Sequence, residues 1–147
     1  MSLTSSILFR KATSSDAVQL SKMLNQLSDQ DKRFFSPHAF DVQTLRELCS
    51  NTHDFYFVLV KNNQVIGYSM LRCFRTDTPT FGCCIHPDHR GNGYSSILMQ
   101  ETLAAAKHYG FSKVILHVHT DNTVAYHLYE QHGFTPVCTQ VRMEKTV

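Results

Sequence analysis

The run Ile85-His86-Pro87-Asp88-His89-Arg90-Gly91-Asn92-Gly93-Tyr94-Ser95 joins a strand-like segment to a helix-like one, and its residue types suit the holding of an anion. Consecutive backbone N–H groups at a helix N-terminus, with the positive end of the helix dipole behind them, form an anion site. Arg90 adds a fixed positive charge, and Gly91 and Gly93 remove side chains that would keep a phosphate at a distance. The competing reading is a tight turn whose glycines serve geometry alone. The run lacks the Gly-Lys-Ser/Thr ending of a P-loop and the three glycines of a dinucleotide fingerprint. Two histidine pairs, His86-x-x-His89 and His117-x-His119, offer imidazoles that zinc could accept, although the first pair lies inside the anion loop. Cys83 and Cys84 raise an acyl-enzyme route. Adjacent strand residues face opposite ways, so at most one of them meets a reacting group, and buried cysteine is more commonly a small apolar residue.

The elements that must position these groups follow from the pattern. Ile7 to Lys11 reads as a strand, and Thr13 to Asp16 supplies N-cap chemistry for a helix with Ala17, Leu20, Met23 and Leu24 on one face. Asp31 to His38 reads as a loop, and a second helix is expected from Asp41 to Cys49. Phe55 to Val60 and Val65 to Cys73, separated by Asn62-Asn63, form a hairpin pattern, followed by a strand at Thr80 to Ile85. Beyond Gly93 the period turns helical, with Tyr94, Leu98, Ala105 and Tyr109 sharing a face, and Gly110 ends it. Lys113 to His119 reads as a strand with Val114, Leu116 and Val118 on one side. A last helix, capped by Asp121 or Asn122 and stopped at Gly133, carries Val124, Ala125, Leu128 and Tyr129. Strands are expected again near Phe134 and over Gln140 to Lys145. An antiparallel meander followed by strand and helix in alternation predicts an α/β (α+β) fold: a mixed, mostly antiparallel sheet of six to seven strands flanked by about four helices.

Leu116-His117-Val118-His119-Thr120-Asp121-Asn122-Thr123-Val124-Ala125, continued by Leu128-Tyr129-Glu130-Gln131-His132-Gly133-Phe134, resembles the closing motif of the GNAT superfamily of N-acetyltransferases. Pro87-x-x-Arg90-Gly91-x-Gly93 resembles the acetyl-CoA signature of the same family, in family order, with Ser95 where that signature prefers Gly or Ala. The resemblance covers roughly Phe55 to Phe134. It implies a GNAT-like fold and an acyltransferase that moves acetyl from acetyl-CoA, a co-substrate, to a primary amine by direct attack. It implies that amides around Arg90, Gly91, Asn92, Gly93, Tyr94, Ser95 and Ser96 cradle the diphosphate. The strand Gly82 to Ile85, with Cys84, Ile85 and the following His86, would lie along the pantetheine arm, and Asn122 would hydrogen-bond near it, or serve as a plain N-cap, or both. Tyr129 matches the family tyrosine near the thioester sulfur, where a phenol can protonate the leaving thiolate; a core aromatic is the alternative. His117 stands where the family often has a glutamate base. Histidine suits that task, and His119 on the same strand face or a water chain could serve instead; a strand histidine that is merely hydrogen-bonded is the alternative.

The acceptor site is expected in the first half, with Phe34, Phe35 and His38, preceded by Arg33, and Tyr68 and Arg72 on the hairpin as lining residues. These suit a polar small amine, an amino sugar or amino acid, with a protein N-terminus or lysine as the alternative acceptor. A non-catalytic acyl-CoA sensor and a zinc enzyme are remoter alternatives. The 147 residues suffice for one acetyltransferase domain over 1–147. Hydrophobic residues at 42% and charged ones at 18% give a globular balance, and a formal net charge of +2 with scattered basic residues excludes no fold but argues against nucleic-acid binding. Residues 1–6 show no signal-peptide pattern, no apolar run is long enough to span a bilayer, and five cysteines without framework spacing fit a cytoplasmic protein. No metal is expected, and the chain is expected to act as a monomer or homodimer.

Overall fold

The strands β1 (Ile7–Lys11), β2 (Phe55–Lys61), β3 (Gln64–Arg72) and β4 (Thr80–Ile85) build an antiparallel sheet in the order β1-β2-β3-β4, its two central strands buried as continuous runs. The computed structural model describes residues 6–74 and 76–147, and the N-terminal segment used for the signal-peptide reading lies largely outside them. The chain divides into two compact units, one ending at His117 and one running from Val118 to Val147.

In the first unit, Asn62 and Asn63 both take positive φ, 49° and 65°, which is the two-residue turn whose twist matches a hairpin. The ladder slips between Leu59 and Val60: Leu59 faces Gly67, while Val60 faces Val65, leaving Ile66 as an extra residue. Such a bulge bends the strand locally. Ile66 packs with Leu59, Ile85 and Leu98, and a Cβ on Gly67 would meet Ile85 Cδ1 at 2.9 Å and Leu98 Cδ2 at 3.3 Å.

One sheet face carries α1 (Ala17–Asn25) and α3 (Val42–Ser50), linked through the short α2 (Asp29–Phe34), with Leu20, Leu24 and Leu45 buried against Val58, Tyr68 and Met70. The other face carries α4 (Tyr94–His108). Each fully buried leucine contributes about 1.5–3 kcal/mol. α1 follows a 3₁₀ turn at Ser14–Asp16, where Asp16 accepts the Thr13 N–H at 2.8 Å and a forked pair of bonds from Arg10, both 2.8 Å. α3 starts at Asp41, whose carboxylate accepts from the Thr44 N–H at 3.0 Å.

Asp29–Phe34 is a helix where the sequence reads as a loop. Ser28 Oγ accepts the Asp31 N–H at 3.1 Å and Asp31 answers on the Ser28 N–H at 3.4 Å, a capping box that starts a helix too short to show a period. The chain therefore has five α-helices among the described residues rather than about four. Of the expected α4 face of Tyr94, Leu98, Ala105 and Tyr109 only Leu98 is buried, and it is joined by Met99, Thr102 and Ala106. Thr102 is buried because its hydroxyl pairs with Ser69 Oγ at 2.7 Å and donates to the Leu98 carbonyl at 2.6 Å. α4 ends in a Schellman motif, Gly110 N–H to Lys107 and Phe111 N–H to Ala106, both 3.0 Å.

The sheet has four strands among the described residues, not six to seven. Lys113 to His119 keeps its alternation, with Val114 and Leu116 half-buried between exposed neighbours. It makes only an isolated parallel bridge, Ile115 to Thr80, through Ile115 N–H to Pro79 and Phe81 N–H to Ile115. Phe134 and Gln140 to Lys145 form no strand either; side-chain alternation without a ladder of backbone partners does not make one.

The second unit is built on α5 (Thr123–Gln131), which ends in the same motif, Gly133 N–H to Glu130 and Phe134 N–H to Tyr129, both 3.0 Å. Val124, expected on its apolar face, is 82% exposed. No helix of the described residues is long and apolar enough to cross a membrane.

Candidate active site

β4 leaves the sheet at Ile85 and the chain turns through Pro87–His89 before entering α4. His86 fixes this turn: Nδ1 accepts the Asp88 N–H at 3.0 Å, so Nε2 carries the proton and donates to Gln26 Oε1 at 2.9 Å. Both ring nitrogens are thereby engaged. Among the described residues no group of three His, Cys, Asp or Glu side chains is placed to hold a metal ion. Arg90 is held from two sides, Nε on the Ile85 carbonyl at 3.3 Å and Nη1 on both Asp31 oxygens at 3.2 and 3.1 Å.

Gly91 and Gly93 both have φ of +79°, and a Cβ at either would find no atom within 4 Å. Their backbone conformation, rather than crowding by the protein, is what calls for glycine. Gly93 is the N-cap of α4, so the cap position supplies no side-chain acceptor to the helix. The first helical bond is Ile97 N–H to the Gly93 carbonyl at 3.3 Å, so the N–H groups of Tyr94 and Ser95 lie ahead of it. Lys61 Nζ sits 5.3 Å from the Tyr94 ring centroid. That second cation near the helix N-terminus comes from the hairpin and carries no motif by which sequence could place it. Asn92, though exposed, donates its side-chain amide to the His89 and Arg90 carbonyls of the loop, both at 3.3 Å.

β4 is an edge strand, paired only with β3 beyond the bridge at Thr80. Phe81 bonds outward to Ile115 and the Ile85 carbonyl outward to Arg90, while the His86 N–H bonds to Ile66. By strand parity Phe81, Cys83 and Ile85 present their backbone outward, and Cys84 faces β3. Cys83 was considered from sequence for an acyl-enzyme route and not for the coenzyme edge, although this parity was the available signal. The two cysteine side chains part as expected, Cys83 toward the α4 side and Cys84 toward the α1 side. Burial pushes the Cys84 thiol well above its ordinary range, which suppresses the thiolate that a covalent route needs.

A cleft of about 350 Å³ opens beside the start of β4, lined by Pro37, Met70, Arg72, Phe74, Thr80, Phe81, Gly82 and His117. It unites Arg72 and His117, both singled out from sequence, with residues that were not. His38 and Tyr68 are joined instead to each other: Nε2 meets the Tyr68 hydroxyl at 2.9 Å, and Tyr68 is fully buried in the core. Phe35 stacks with Phe40 and approaches Gly82, whereas Phe34 carries the Arg33 guanidinium over its ring. Phe34 is not among the lining residues.

In the second unit, Asn122 is the N-cap of α5, its Oδ1 accepting the Ala125 N–H at 3.5 Å. Tyr129 lies on that helix with its ring edge-on to Phe134, centroids 6.0 Å apart. His119 is exposed, and its carbonyl accepts the Asn122 N–H at 3.0 Å.

Residues 20–134 match the family model described as the acetyltransferase (GNAT) family. The chain is 29% identical over 79 residues to the [ribosomal protein bS18]-alanine N-acetyltransferase of Haemophilus influenzae, covering 54% of this chain and 53% of that protein. It is 27% identical over 130 residues to the amino-acid acetyltransferase of Escherichia fergusonii, covering 87% of this chain and 27% of that one. The chain thus spans about half or less of these curated relatives. Its fold is similar to that of the PaiA N-acetyltransferase from Thermoplasma acidophilum in complex with coenzyme A, with a TM-score of 0.75, 18% identity, and coverage of 92% and 93%.

Proposed function

The chain belongs to the acetyltransferase (GNAT) family, and on that premise we propose that it transfers an acetyl group from acetyl-CoA to the primary amine of a small molecule. The observation that carries this reading is the uncapped start of α4, where Gly91 and Gly93 hold left-handed backbone. Arg90 and Lys61 add positive charge there. Donors, dipole and charge converge as a diphosphate requires, and the outward edge of β4, at Cys83 and Ile85, is the proposed track of a pantetheine arm. Acetyl-CoA supplies an activated thioester carbonyl.

The chain's own groups manage the protons. The acceptor nitrogen must shed one as it bonds to the carbonyl carbon, and His117 on the cleft wall takes it, with His119 as the alternative base. The C–S bond breaks, and Tyr129 gives its phenolic proton to the leaving sulfur. Asn122 both caps α5 and hydrogen-bonds near the pantetheine arm. Residues 1–147 act as one acetyltransferase domain.

The test is to mix the purified protein with acetyl-CoA and a panel of amino acids, amino sugars, polyamines and N-terminal peptides, and to follow thiol release. Acceptor-dependent release with at least one small amine is expected. Release with peptides alone would make the protein N-terminus the acceptor, and no acceptor-dependent release across the panel would remove the transferase reading.

A further inference from the structure

Arg72 is half-buried at the end of β3, and its partners are neutral. Nη1 donates to the Pro37 carbonyl, the guanidinium lies 4.9 Å from the Phe74 ring centroid, and it sits beside the Tyr56 phenol. Its buried Nε has no acceptor among the described residues. Asp54, on the neighbouring strand edge, is already engaged, with Oδ1 on the Cys73 N–H at 2.8 Å and Oδ2 on the Tyr56 hydroxyl at 3.2 Å. No described carboxylate forms an ion pair with Arg72, and none lines the cleft that it shares with His117.

A guanidinium drawn partly out of water without a counter-charge is costly, and the cost is relieved if the counter-charge arrives with a ligand. Its planar fork matches a carboxylate in two parallel bonds. A polycationic acceptor would require acidic walls, and it would meet only this positive one. We propose that Arg72 is a specificity-determining residue that receives a carboxylate borne by the acceptor, so that the substrate carries a primary amine and a carboxylate in one molecule. The amine end then lies toward His117. This inference rests on the acetyl-transfer reading of the same cleft.

Two measurements test it. In the first, the Arg72 Nε–H resonance of the wild-type protein is followed during titration with N-acetylglycine and, separately, with N-acetylglycinamide. A saturable shift with the carboxylate and none with the amide is expected; no saturable shift, or the same shift with both, overturns the proposal. In the second, glycine, β-alanine and 4-aminobutanoate are compared as acceptors with their carboxamides at equal free-amine concentration. The best carboxylate should exceed its amide in kcat/KM by roughly ten- to hundred-fold, the range of a hydrogen bond to a charged group. Arg72→Gln should erase that ratio mainly through KM while leaving acetyl-CoA affinity intact. Acetyl transfer without a carboxylate preference overturns the inference and leaves the transferase reading standing. No transfer to any amine, with the N-acetylglycine shift still present, does the reverse.

Discussion

Arg90, proposed to hold a phosphate, and Tyr129, proposed to protonate a thiolate, each have a second occupation that decides how a substitution reads. The Arg90–Asp31 pair is open to solvent, with side-chain exposures of 44% and 27%, so it is worth at most about 1 kcal/mol. A phosphate can therefore take the guanidinium from Asp31 at little cost. Tyr129 packs against Phe134 as well as carrying a phenol. Tyr129→Phe keeps the ring and its edge contact and removes the proton. Turnover should fall by roughly 10²–10⁴, the range for acid–base help, with acetyl-CoA affinity in calorimetry nearly unchanged. Parallel loss of binding and turnover would assign the ring a packing role instead.

At the level of elements, the β4–α4 junction separates folding from binding. Gly93→Val places a branched side chain where no protein atom lies within 4 Å, so its folding cost is the left-handed backbone alone, about 1–2 kcal/mol. If the loop holds the diphosphate as proposed, the same side chain stands in its way, and acetyl-CoA affinity should drop by well over tenfold. A thermal melt and calorimetry on the same sample check this; unchanged affinity would move the diphosphate elsewhere. This junction was legible in the sequence because glycine spacing, a cation and a strand-to-helix switch are local signals. So was the hairpin, since Asn62-Asn63 specifies its own turn. α2 was not, because a capping box and six residues outrank any period. The α4 face was misjudged for a related reason: Thr102 is buried through a hydroxyl pair with Ser69 that apolar counting cannot see. The C-terminal strands show the opposite error, an alternation in sequence with no backbone ladder to use it. The meeting of Arg72 and His117 was beyond reach, because it depends on β3–β4 register and the bridge at Ile115.

Across the first unit as a whole, two titratable groups in separate parts of the packing make the fold sensitive to acid in two windows. His38 Nδ1 donates to the Ala39 carbonyl at 2.7 Å, which leaves Nε2 to accept from Tyr68; this is a neutral ring. Burial, aided by the Arg72 charge and opposed by the Ala39 bond and Asp41, holds its pKa below the ordinary histidine value. Below about pH 6.5 the unfolded chain binds a proton that the folded one resists, so this stability is complete above that pH and is lost as pH falls toward the folded value. Asp16 is held below the usual carboxylate range, first by its hydrogen bonds from Arg10, and also by the Thr13 N–H. Its contribution is present above about pH 4 and is lost as pH falls through its folded pKa. The urea midpoint should therefore decline first as pH falls below about 6.5, and again below about pH 4. His38→Gln should remove the first decline and keep the second. Asp16→Asn should weaken the second and cost roughly 1–3 kcal/mol at neutral pH, because Arg10 loses a charged acceptor in a partly buried site. A first decline that survives His38→Gln unchanged would assign it to another of the nine histidines and free the His38–Tyr68 pair of any part in acid sensitivity.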